Sequence, residues 1–399
     1  MKNKIFFLIF VTVWVIIVIL NFVLPKSDFS EQENRMYATI PRFSFKSFVN
    51  GEYLDGVNDY VNDHFAFRDT FLKINSWWEI NVLGKKEIND VYVGQDSYLF
   101  EKFEFGEEEK TTLNSNTKII SDFAQKMNEQ NIKTYFILVP NSIYINSDKL
   151  PENVQAPNQE EIINIAYSNT KNTVNVDVEK SLLTENKNQQ LYFKTDHHMN
   201  SDGAYVVYKE FCKSANIEAV TTTDFNKVKV TSDFLGTFDS KAQIWNQEPD
   251  EIYVYQNENN MNIKEAIYDT QNTQSIFNEE FLLTKDKYSY FLNGNNSRAI
   301  IKTNVNNDRK LLVVKDSYAH IMSQFLCQNY SEVHFLDPRY TAFDYEQYAK
   351  ENGITDVLFL YNVSNFVEDN NLRKISWNRK SKYFKYFFPS QEGSFSFAN

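Results

Sequence analysis

The distribution of hydrophobic and polar positions divides the chain into three parts. The first part is an almost unbroken apolar run from Ile5 to Leu24, which contains no charged residue. This length is sufficient for a helix to cross the hydrocarbon core of a bilayer. Pro25 and Lys26 follow the run in place of the small-residue cleavage site of a signal peptide. We therefore expect a retained transmembrane helix in residues 1–25, with residues 5–24 in the membrane. A buried core helix is the alternative.

The charges around this run predict its orientation. Lys2 and Lys4 lie on the short amino-terminal side, and no second apolar span follows later in the sequence. The positive-inside rule then places the residues after Pro25 outside the cytoplasm. The pattern predicts a single-pass protein of the cell membrane whose folded domain is extracellular.

The second part, residues 26–85, is polar with scattered aromatic residues, and we expect it to form a stalk and an N-terminal helical segment. Phe67, Phe71, Ile74 and Trp78 recur there at steps of three and four residues. This spacing places side chains on one face of a helix. We expect that face to be buried.

The third part, residues 86–399, alternates between strand-like and helix-like segments. The clearest strands are expected at 134–139, 311–314, 333–336 and 357–360, and the clearest helices around 117–128, 201–215, 318–328 and 344–352. Alternation of this kind is typical of an α/β domain in which helices flank a mainly parallel sheet. A polar stretch around residues 219–286 is expected to be an insertion of short strands and loops.

Composition narrows the classes of partner. About two fifths of the residues are apolar, so a substantial core can be buried. The formal net charge of -12 argues against nucleic acid, and against an anionic membrane surface, as the main partner. Mixed polar and aromatic stretches such as residues 382–388 are typical of carbohydrate-binding surfaces, but also of ordinary cores and surfaces.

The two cysteines have no spacing that marks a metal site or a disulfide framework. Cys212 and Cys327 both lie in apolar, helix-like surroundings. They could pair in an exported protein or remain as two buried thiols, and the sequence leaves both alternatives open.

Ser317 lies where a nucleophile would be expected. The apolar run Leu311–Val314 predicts a buried parallel strand, and a helix-like stretch begins just after Ser317. A turn from strand to helix at the carboxyl edge of a parallel sheet exposes its side chain in the ligand crevice. The following helix can offer backbone N–H groups to a developing oxyanion. The alternative is an ordinary N-cap serine.

A base for such a serine is present in the segment around His198. A nucleophilic serine needs an imidazole to accept its proton and a carboxylate to orient that imidazole. Asp196 and His198 are two residues apart, so on an extended or turning segment their side chains lie on the same side. Ser201 is expected to cap the helix that follows.

These residues have two other interpretations. An Asp-His-His tripeptide is also typical of a metal site, but the remaining acidic candidates have no spacing that marks a particular metal, so neither a metal nor another cofactor is expected. Those candidates are Asp202, Asp316, Asp337 and Asp344. His320 lies one helical turn beyond Ser317, but it would point along the helix, so we expect it to have a packing role.

Several segments together resemble the DHHW family, which is similar to the SGNH hydrolase-like domains of alginate O-acetyltransferases. The strongest are Thr195-Asp196-His197-His198, Val314 to Ala319 and Leu336 to Tyr340. Further agreement lies in residues 33–35, 63–68, 93–100, 139–141 and 291–295, so the resemblance covers nearly all of the chain after the apolar run. Met199 stands at the position of the family's name-giving tryptophan.

The resemblance implies an SGNH hydrolase-like three-layer domain that forms an acyl-enzyme on Ser317. His198 would act as base and then acid, and Asp196 would orient it. The acceptor would be water in an acetylesterase, or a sugar hydroxyl of a cell-surface or secreted polysaccharide in an O-acetyltransferase. A membrane-bound O-acyltransferase partner is implied by the same resemblance. A non-catalytic cell-envelope scaffold or polysaccharide-binding protein that keeps the fold is the alternative.

Oxyanion or substrate contacts can be assigned to several residues. The candidates are the backbone of Ser317, Asn141 at the end of a strand, and Gly294 with Asn295 in a small polar loop. Arg339, at the end of another strand, could contact a polar substrate. The acyl group, the acceptor and the oligomeric state are not specified by the sequence.

Overall fold

The computed structural model describes residues 2–257, 260–340 and 343–376, so the aromatic stretch 382–388 lies outside the described residues. Nine elements precede the main domain. They are helix α1 (Lys2–Val23), strands β1 (Phe29–Ser30) and β2 (Arg35–Met36), helices α2 (Phe45–Val49), α3 (Glu52–Asp63) and α4 (Arg68–Asn81), and strands β3 (Glu87–Ile88), β4 (Val91–Val93) and β5 (Leu99–Glu101). Strands β3, β4 and β5 form a small antiparallel sheet.

The main domain contains the remaining helices and strands. In chain order they are α5 (Glu107–Asn128), β6 (Lys133–Val139), α6 (Ser142–Ile145), α7 (Gln159–Asn169), β7 (Val174–Asn175), α8 (Glu179–Glu185), α9 (Ser201–Ala215), β8 (Asn226–Phe234), α10 (Thr237–Ala242), β9 (Asp250–Gln256), β10 (Ile263–Ile267), β11 (Asn272–Thr273), β12 (Arg298–Thr303), β13 (Lys310–Lys315), α11 (Tyr318–Leu326), β14 (Glu332–Leu336), α12 (Tyr345–Glu351), β15 (Asp356–Asn362) and α13 (Val363–Glu368).

An eight-stranded sheet runs through this domain in the order β11-β10-β12-β14-β13-β15-β6-β7. Strands β14, β13, β15, β6 and β7 are parallel, whereas β12, β10 and β11 extend one edge in antiparallel fashion. The four strands expected from the sequence are all present, and each is slightly longer than its apolar run. The mainly parallel sheet is therefore confirmed.

Side chains alternate across the central strands and fill two separate cores. Leu311 and Val313 of β13 face one core, which α9 and α11 cover. Leu312 and Val314 face the other core, which α5, α7, α12 and α13 cover. Because successive residues of a strand point to opposite faces, a continuous apolar run is the pattern of a strand buried on both sides. The result is a three-layer α/β domain.

The polar stretch around residues 219–286 packs against this domain as well as extending its sheet. Strands β8 and β9 form an antiparallel hairpin, and α10 lies between them in the chain. Strands β10 and β11 join the antiparallel edge of the main sheet. Helix α10 begins beside Asp196, which matters for the site described below.

Charged residues of the amino-terminal region form one ion-pair network. Arg35 donates to both carboxylate oxygens of Asp63, at 2.9 and 2.6 Å, and Arg68 donates to Glu33 at 3.0 Å. The hydrogen bond from Arg35 lowers the pKa of Asp63 to about 2. The network connects the segment after α1 to helices α3 and α4.

The apolar face expected to be buried on α4 is exposed, so that prediction is wrong. Phe67, Phe71, Ile74 and Trp78 are 54, 43, 46 and 51% exposed. The helix packs on the domain through another face, where the hydroxyl of Ser76 donates to the carbonyl oxygen of Ala242 at 2.8 Å. Periodicity identifies an apolar face, but it does not specify what that face contacts.

Two further features bear on the sequence predictions. Cys212 and Cys327 are both buried and free, so the disulfide alternative does not hold in this structure. Among the described residues, one helix is long and apolar enough to cross a membrane, with 20 residues from Lys4 to Val23 and a mean hydropathy of 2.9. None of its hydrophobic window is buried in the protein.

Candidate active site

Ser317 lies at the turn between β13 and α11, at the carboxyl edge of the sheet. The buried carboxylate of Asp316 holds this turn, because it accepts the backbone N–H of Tyr318 and the backbone N–H of Asn362, both at 2.9 Å. Although Ser317 is the N-cap of α11, its side chain makes no capping hydrogen bond. The Ser317 hydroxyl is therefore available for another partner.

That partner is the imidazole of His198. Its Nε2 lies 2.7 Å from Oγ of Ser317, and its Nδ1 lies 2.6 Å from Oδ1 of Asp196. The three side chains form one continuous chain of hydrogen bonds, although His198 and Ser317 are 119 positions apart in the sequence. Asp196 and His198 project to the same side, because the backbone turns back between Tyr192 and Met199, which form an isolated bridge.

The protonation states follow from burial and from these bonds. Burial opposes ionisation of Asp196, but the two adjacent imidazoles and the N–H donors that face it hold the pKa of Asp196 well below its ordinary range. Burial lowers the pKa of His198 and outweighs the opposing effect of Asp196. A neutral imidazole whose Nδ1–H donates to Asp196 leaves the Nε2 lone pair free to accept the hydroxyl hydrogen of Ser317.

The start of α10 holds Asp196, and no sequence pattern predicts this contact. Oδ2 of Asp196 accepts the backbone N–H of Thr237 at 2.8 Å and its hydroxyl at 3.0 Å. A methyl group on Gly236 would lie 2.5 Å from the same oxygen, so only glycine leaves room for the carboxylate. Residue Asp250 adds support by accepting the N–H and hydroxyl of Thr195, at 2.8 and 2.7 Å. No local motif marks these residues, because the polar stretch around 219–286 gives no indication of where it packs.

Tyr288 is a further residue that sequence reasoning missed. Its ring stacks on the imidazole of His198, with centroids 3.5 Å apart and planes inclined by 9°. Its hydroxyl donates to the carbonyl oxygen of Ser317 at 3.0 Å. Burial raises the pKa of Tyr288 well above its ordinary value, so the phenol remains a donor. One side chain therefore contacts both the imidazole and the backbone of the serine.

Asn141 lies in a buried polar network beside the site. Its amide nitrogen donates to Oδ1 of Asn362 and to the hydroxyl of Ser364, both at 3.1 Å. Asn362 in turn donates from its own amide to Asp316 at 2.8 Å. The amide donors of Asn141 are thus used in supporting Asp316, and its proposed role toward an oxyanion stays a prediction.

The candidate residues Gly294 and Asn295 lie in the loop before β12. Gly294 has a positive φ of 70°, and its N–H donates to the carbonyl oxygen of Phe291 within its own loop. Asn295 is exposed in the same loop. Roles for Gly294 and Asn295 remain predictions.

Arg339 is held in place by a buried charge cluster. Its guanidinium binds both oxygens of Asp337, at 2.9 and 2.7 Å, and Lys315 binds Asp337 at 2.9 Å. Burial lowers the pKa of His198, and the charge of Arg339 adds to that lowering. His320 accepts from Lys315 at 2.9 Å and does not contact the hydroxyl of Ser317.

Asp196, His197 and His198 also bring potential metal-ligand atoms within 4.8 Å of one another. Both carboxylate oxygens of Asp196 and both ring nitrogens of His198 already take part in the hydrogen bonds described above. Nδ1 of His197 lies 2.8 Å from the hydroxyl of Thr237. A metal ion at this place would have to displace these bonds.

Asn200, rather than the expected Ser201, caps α9, because its side chain accepts from the N–H groups of Asp202 and Gly203.

Comparison with known proteins agrees with this architecture. Residues 91–277 match the family model for the SGNH hydrolase-like domain of the acetyltransferase AlgX. The structure of a DHHW family protein from Eubacterium siraeum is similar over 74% of this chain and 98% of its own, with a TM-score of 0.63 and 25% identity. Among curated proteins, no sequence matches significantly.

Two further solved structures resemble the chain more distantly. Bacillus cereus PatB1, solved with a sulfonyl adduct, is 21% identical over 71% of this chain and 97% of its own, with a TM-score of 0.60. The O-acetyltransferase domain of Pseudomonas putida AlgJ is 12% identical over 72% of this chain and 95% of its own, with a TM-score of 0.48. From the family model and the DHHW family structure, the chain contains an SGNH hydrolase-like α/β domain, similar to that of the acetyltransferase AlgX and to a DHHW family protein.

Proposed function

We propose that this protein is a serine-dependent O-acetyltransferase or acetylesterase in which Ser317, His198 and Asp196 form a catalytic triad. The observation that carries the proposal is the continuous chain of hydrogen bonds, 2.7 Å from serine to imidazole and 2.6 Å from imidazole to carboxylate. A triad is defined by geometry and roles, and not by the order of its members along the chain. The similarity to an acetyltransferase domain supports acetyl as the acyl group that is transferred.

In the first half-reaction, Nε2 of His198 takes the proton of Ser317 while Oγ attacks the carbonyl carbon of an acyl donor. The carbonyl oxygen becomes an oxyanion, which N–H donors at the turn can stabilise. Within the described parts of the chain, no hydrogen-bond acceptor is found for the backbone N–H of Ser317. The bond to the leaving oxygen then breaks, and His198 returns the proton to that oxygen. The product is an acyl ester on Ser317.

In the second half-reaction, an acceptor hydroxyl loses its proton to His198 and attacks the acyl carbon. Oγ of Ser317 leaves and regains the proton, which restores the free enzyme. Asp196 stays ionised throughout and stabilises the imidazolium that forms in each step. Water as acceptor gives an esterase, and a sugar hydroxyl gives a transferase.

We further propose that the acceptor is a cell-surface or secreted polysaccharide, and that α1 anchors the enzyme in the membrane with the domain outside. A cavity of about 410 Å³ opens beside Asp196 and is lined by several polar side chains. They include Glu33, Arg35, Thr237, Ser240, Lys285 and Asp286. Charged and hydroxyl side chains of this kind can donate and accept hydrogen bonds with a hydroxyl-rich ligand, beside an apolar wall that contains Phe234 and Leu235. A membrane-bound O-acyltransferase could supply the acyl group.

The test is acetate release from an aryl acetate by the full chain in detergent. Ser317→Ala should abolish release, because it removes the nucleophile. Ser323→Ala is the matched control, since Ser323 lies on the same helix and bonds only the carbonyl oxygen of His320. Equal activity in wild type and Ser317→Ala would show that the mechanism is wrong. An acetylated Ser317, trapped and located by mass spectrometry, would identify the covalent intermediate.

A further inference from the structure

Helix α4 presents an apolar face that the described parts of the protein leave about half exposed. Phe67, Phe71, Ile74 and Trp78 lie at steps of four, three and four residues, and each is 43–54% exposed. Trp77 is exposed beside them. The segment between β2 and α3 also carries exposed apolar side chains, namely Ile40, Phe43, Phe45, Phe48 and Val49. An apolar surface of this extent marks a binding face.

The opposite face of α4 attaches the helix to the domain. Ser76 bonds the carbonyl oxygen of Ala242, and Ile80 packs on the small cluster that contains Phe238 and Ala242. The Ser76 contact is to α10, the helix whose first residue holds Asp196, and the cluster that Ile80 packs on includes two residues of that helix. The outward direction of the aromatic face is therefore fixed relative to the active site.

The position of α4 along α1 indicates what covers this face. Oδ1 of Asn21, in the last turn of α1, accepts the N–H of Ala66 at 2.9 Å. Lys26, just after α1, donates to the hydroxyl of Tyr60 at 3.1 Å. A 20-residue helix is about 30 Å long, which is the thickness of the hydrocarbon core, so its end lies at the membrane surface. Phe67, one residue beyond Ala66, is then at the depth of the lipid headgroups.

We propose that the face formed by Phe67, Phe71, Ile74 and Trp78 inserts into the interfacial layer of the bilayer that α1 spans. This inference rests on the proposed anchoring through α1. Aromatic rings favour this layer, and an amphipathic helix lies in its plane with the apolar face toward the acyl chains. Burial of apolar surface drives the contact, so it does not depend on anionic lipid, which the net charge of -12 would repel. The active site is thereby held at a defined height and orientation above the membrane.

Tryptophan quenching by brominated lipids tests the proposal in the full chain. The protein is reconstituted into neutral phosphatidylcholine vesicles with bromine either near the headgroup or near the bilayer centre. Trp14, Trp78 and Trp245 are replaced by Phe one at a time. The difference in bromine quenching between each variant and the wild type gives the quenching of that tryptophan. Trp14 lies within α1, whereas Trp245 is partly exposed beyond α10 and serves as the matched control.

The proposal expects headgroup-level bromine to quench Trp78, and Trp78→Phe to remove that component. Trp245 should show no quenching. Quenching of Trp14 by bromine near the bilayer centre reports anchoring separately. If Trp14 is quenched and Trp78 is not, the helix is anchored but the face of α4 is covered by something other than lipid, and the proposal is overturned. If neither is quenched, the anchor is wrong as well. Phe71→Ser should lower the shallow quenching of Trp78 while leaving that of Trp14 unchanged, which distinguishes lipid contact from a change in α1.

Discussion

The ring of Tyr288 lies flat on the imidazole of His198, at a centroid distance of 3.5 Å, while its hydroxyl bonds the carbonyl oxygen of Ser317. Through this residue the base and the nucleophile share a contact beyond their direct hydrogen bond. Rotation of the imidazole away from Ser317 would require the two rings to separate. Tyr288 therefore acts as a positioning residue for the proposed reaction.

Replacement of Tyr288 should separate the effects of the ring and the hydroxyl. Tyr288→Phe keeps the stacking and loses one hydrogen bond, so kcat/KM for an aryl acetate should fall only about three- to tenfold. Tyr288→Leu removes the flat contact and lets the imidazole tilt, so the fall should be about a hundredfold. Circular dichroism serves as the folding control. Equal losses in the two variants would contradict the positioning role.

The pH profile should follow the lowered pKa of His198. The base must be neutral to accept the proton of Ser317, and a lowered pKa extends the neutral form to more acidic solution. The acid limb of kcat/KM should therefore have its midpoint below about 6.5, the ordinary histidine value. A midpoint above that value would show that Asp196, which raises the pKa of His198, outweighs burial.

Removal of the Asp196 charge should affect both rate and pH dependence. Asp196→Asn no longer favours the Nδ1–H tautomer, so kcat should fall by about 10⁴. The loss of the carboxylate also removes the contribution that raises the pKa of His198, so any remaining activity should persist to lower pH. Rates measured between about pH 4 and about pH 8, on both sides of the ordinary histidine pKa, check both expectations. A full rate in Asp196→Asn would remove this residue from the mechanism.

A methyl group at Gly236 should disturb the site from behind the carboxylate. Gly236→Ala would press on Asp196, so kcat/KM should fall about ten- to a hundredfold while the fold persists. Gly106→Ala is the control, since an added methyl there would meet only the far end of the Glu109 side chain, at 3.2 Å. Similar activity in both variants would contradict the close approach of Gly236 to Asp196.

The ion pair of Arg35 and Asp63 should stabilise the segment after α1. The lowered pKa of Asp63 means that its contribution is fully present above its ordinary value of about 4 and is lost as the pH falls through about 2. Asp63→Asn should destabilise this region by about 2 kcal/mol. Hydrogen exchange at the N–H of Ala38, which bonds Asp63 at 2.8 Å, should accelerate in that variant. Unchanged exchange would show that the network contributes little.

The sequence predicted much of the site because its members carry local signals. Ser317 follows a continuous apolar run, and Asp196 with His198 forms a short motif. The supporting residues Thr237, Asp250 and Tyr288 carry no such signal. Each contributes through a contact with a residue tens of positions away, and a polar segment can pack in many ways with the same composition.

The exposed face of α4 also shows that a local pattern does not specify long-range contacts. Its periodicity correctly predicts a helix with one apolar face, but periodicity does not establish that this face packs against the protein. In the structure that face stays about half exposed, because the helix attaches to the domain through Ser76 and Ile80. The spacing of apolar residues predicts a surface that avoids water, but it does not specify whether protein or lipid covers that surface.

By itself, the sequence determined the apolar segment at the amino terminus, the strands and helices of the α/β domain, and the residue types able to perform acyl transfer. These follow from spacing along the chain, which backbone geometry converts directly into faces and turns. Only the tertiary structure decided that Ser317 meets His198, that α10 holds Asp196, and that the aromatic face of α4 points outward. Those relationships depend on long-range packing, in which many weak contacts between distant segments select one arrangement.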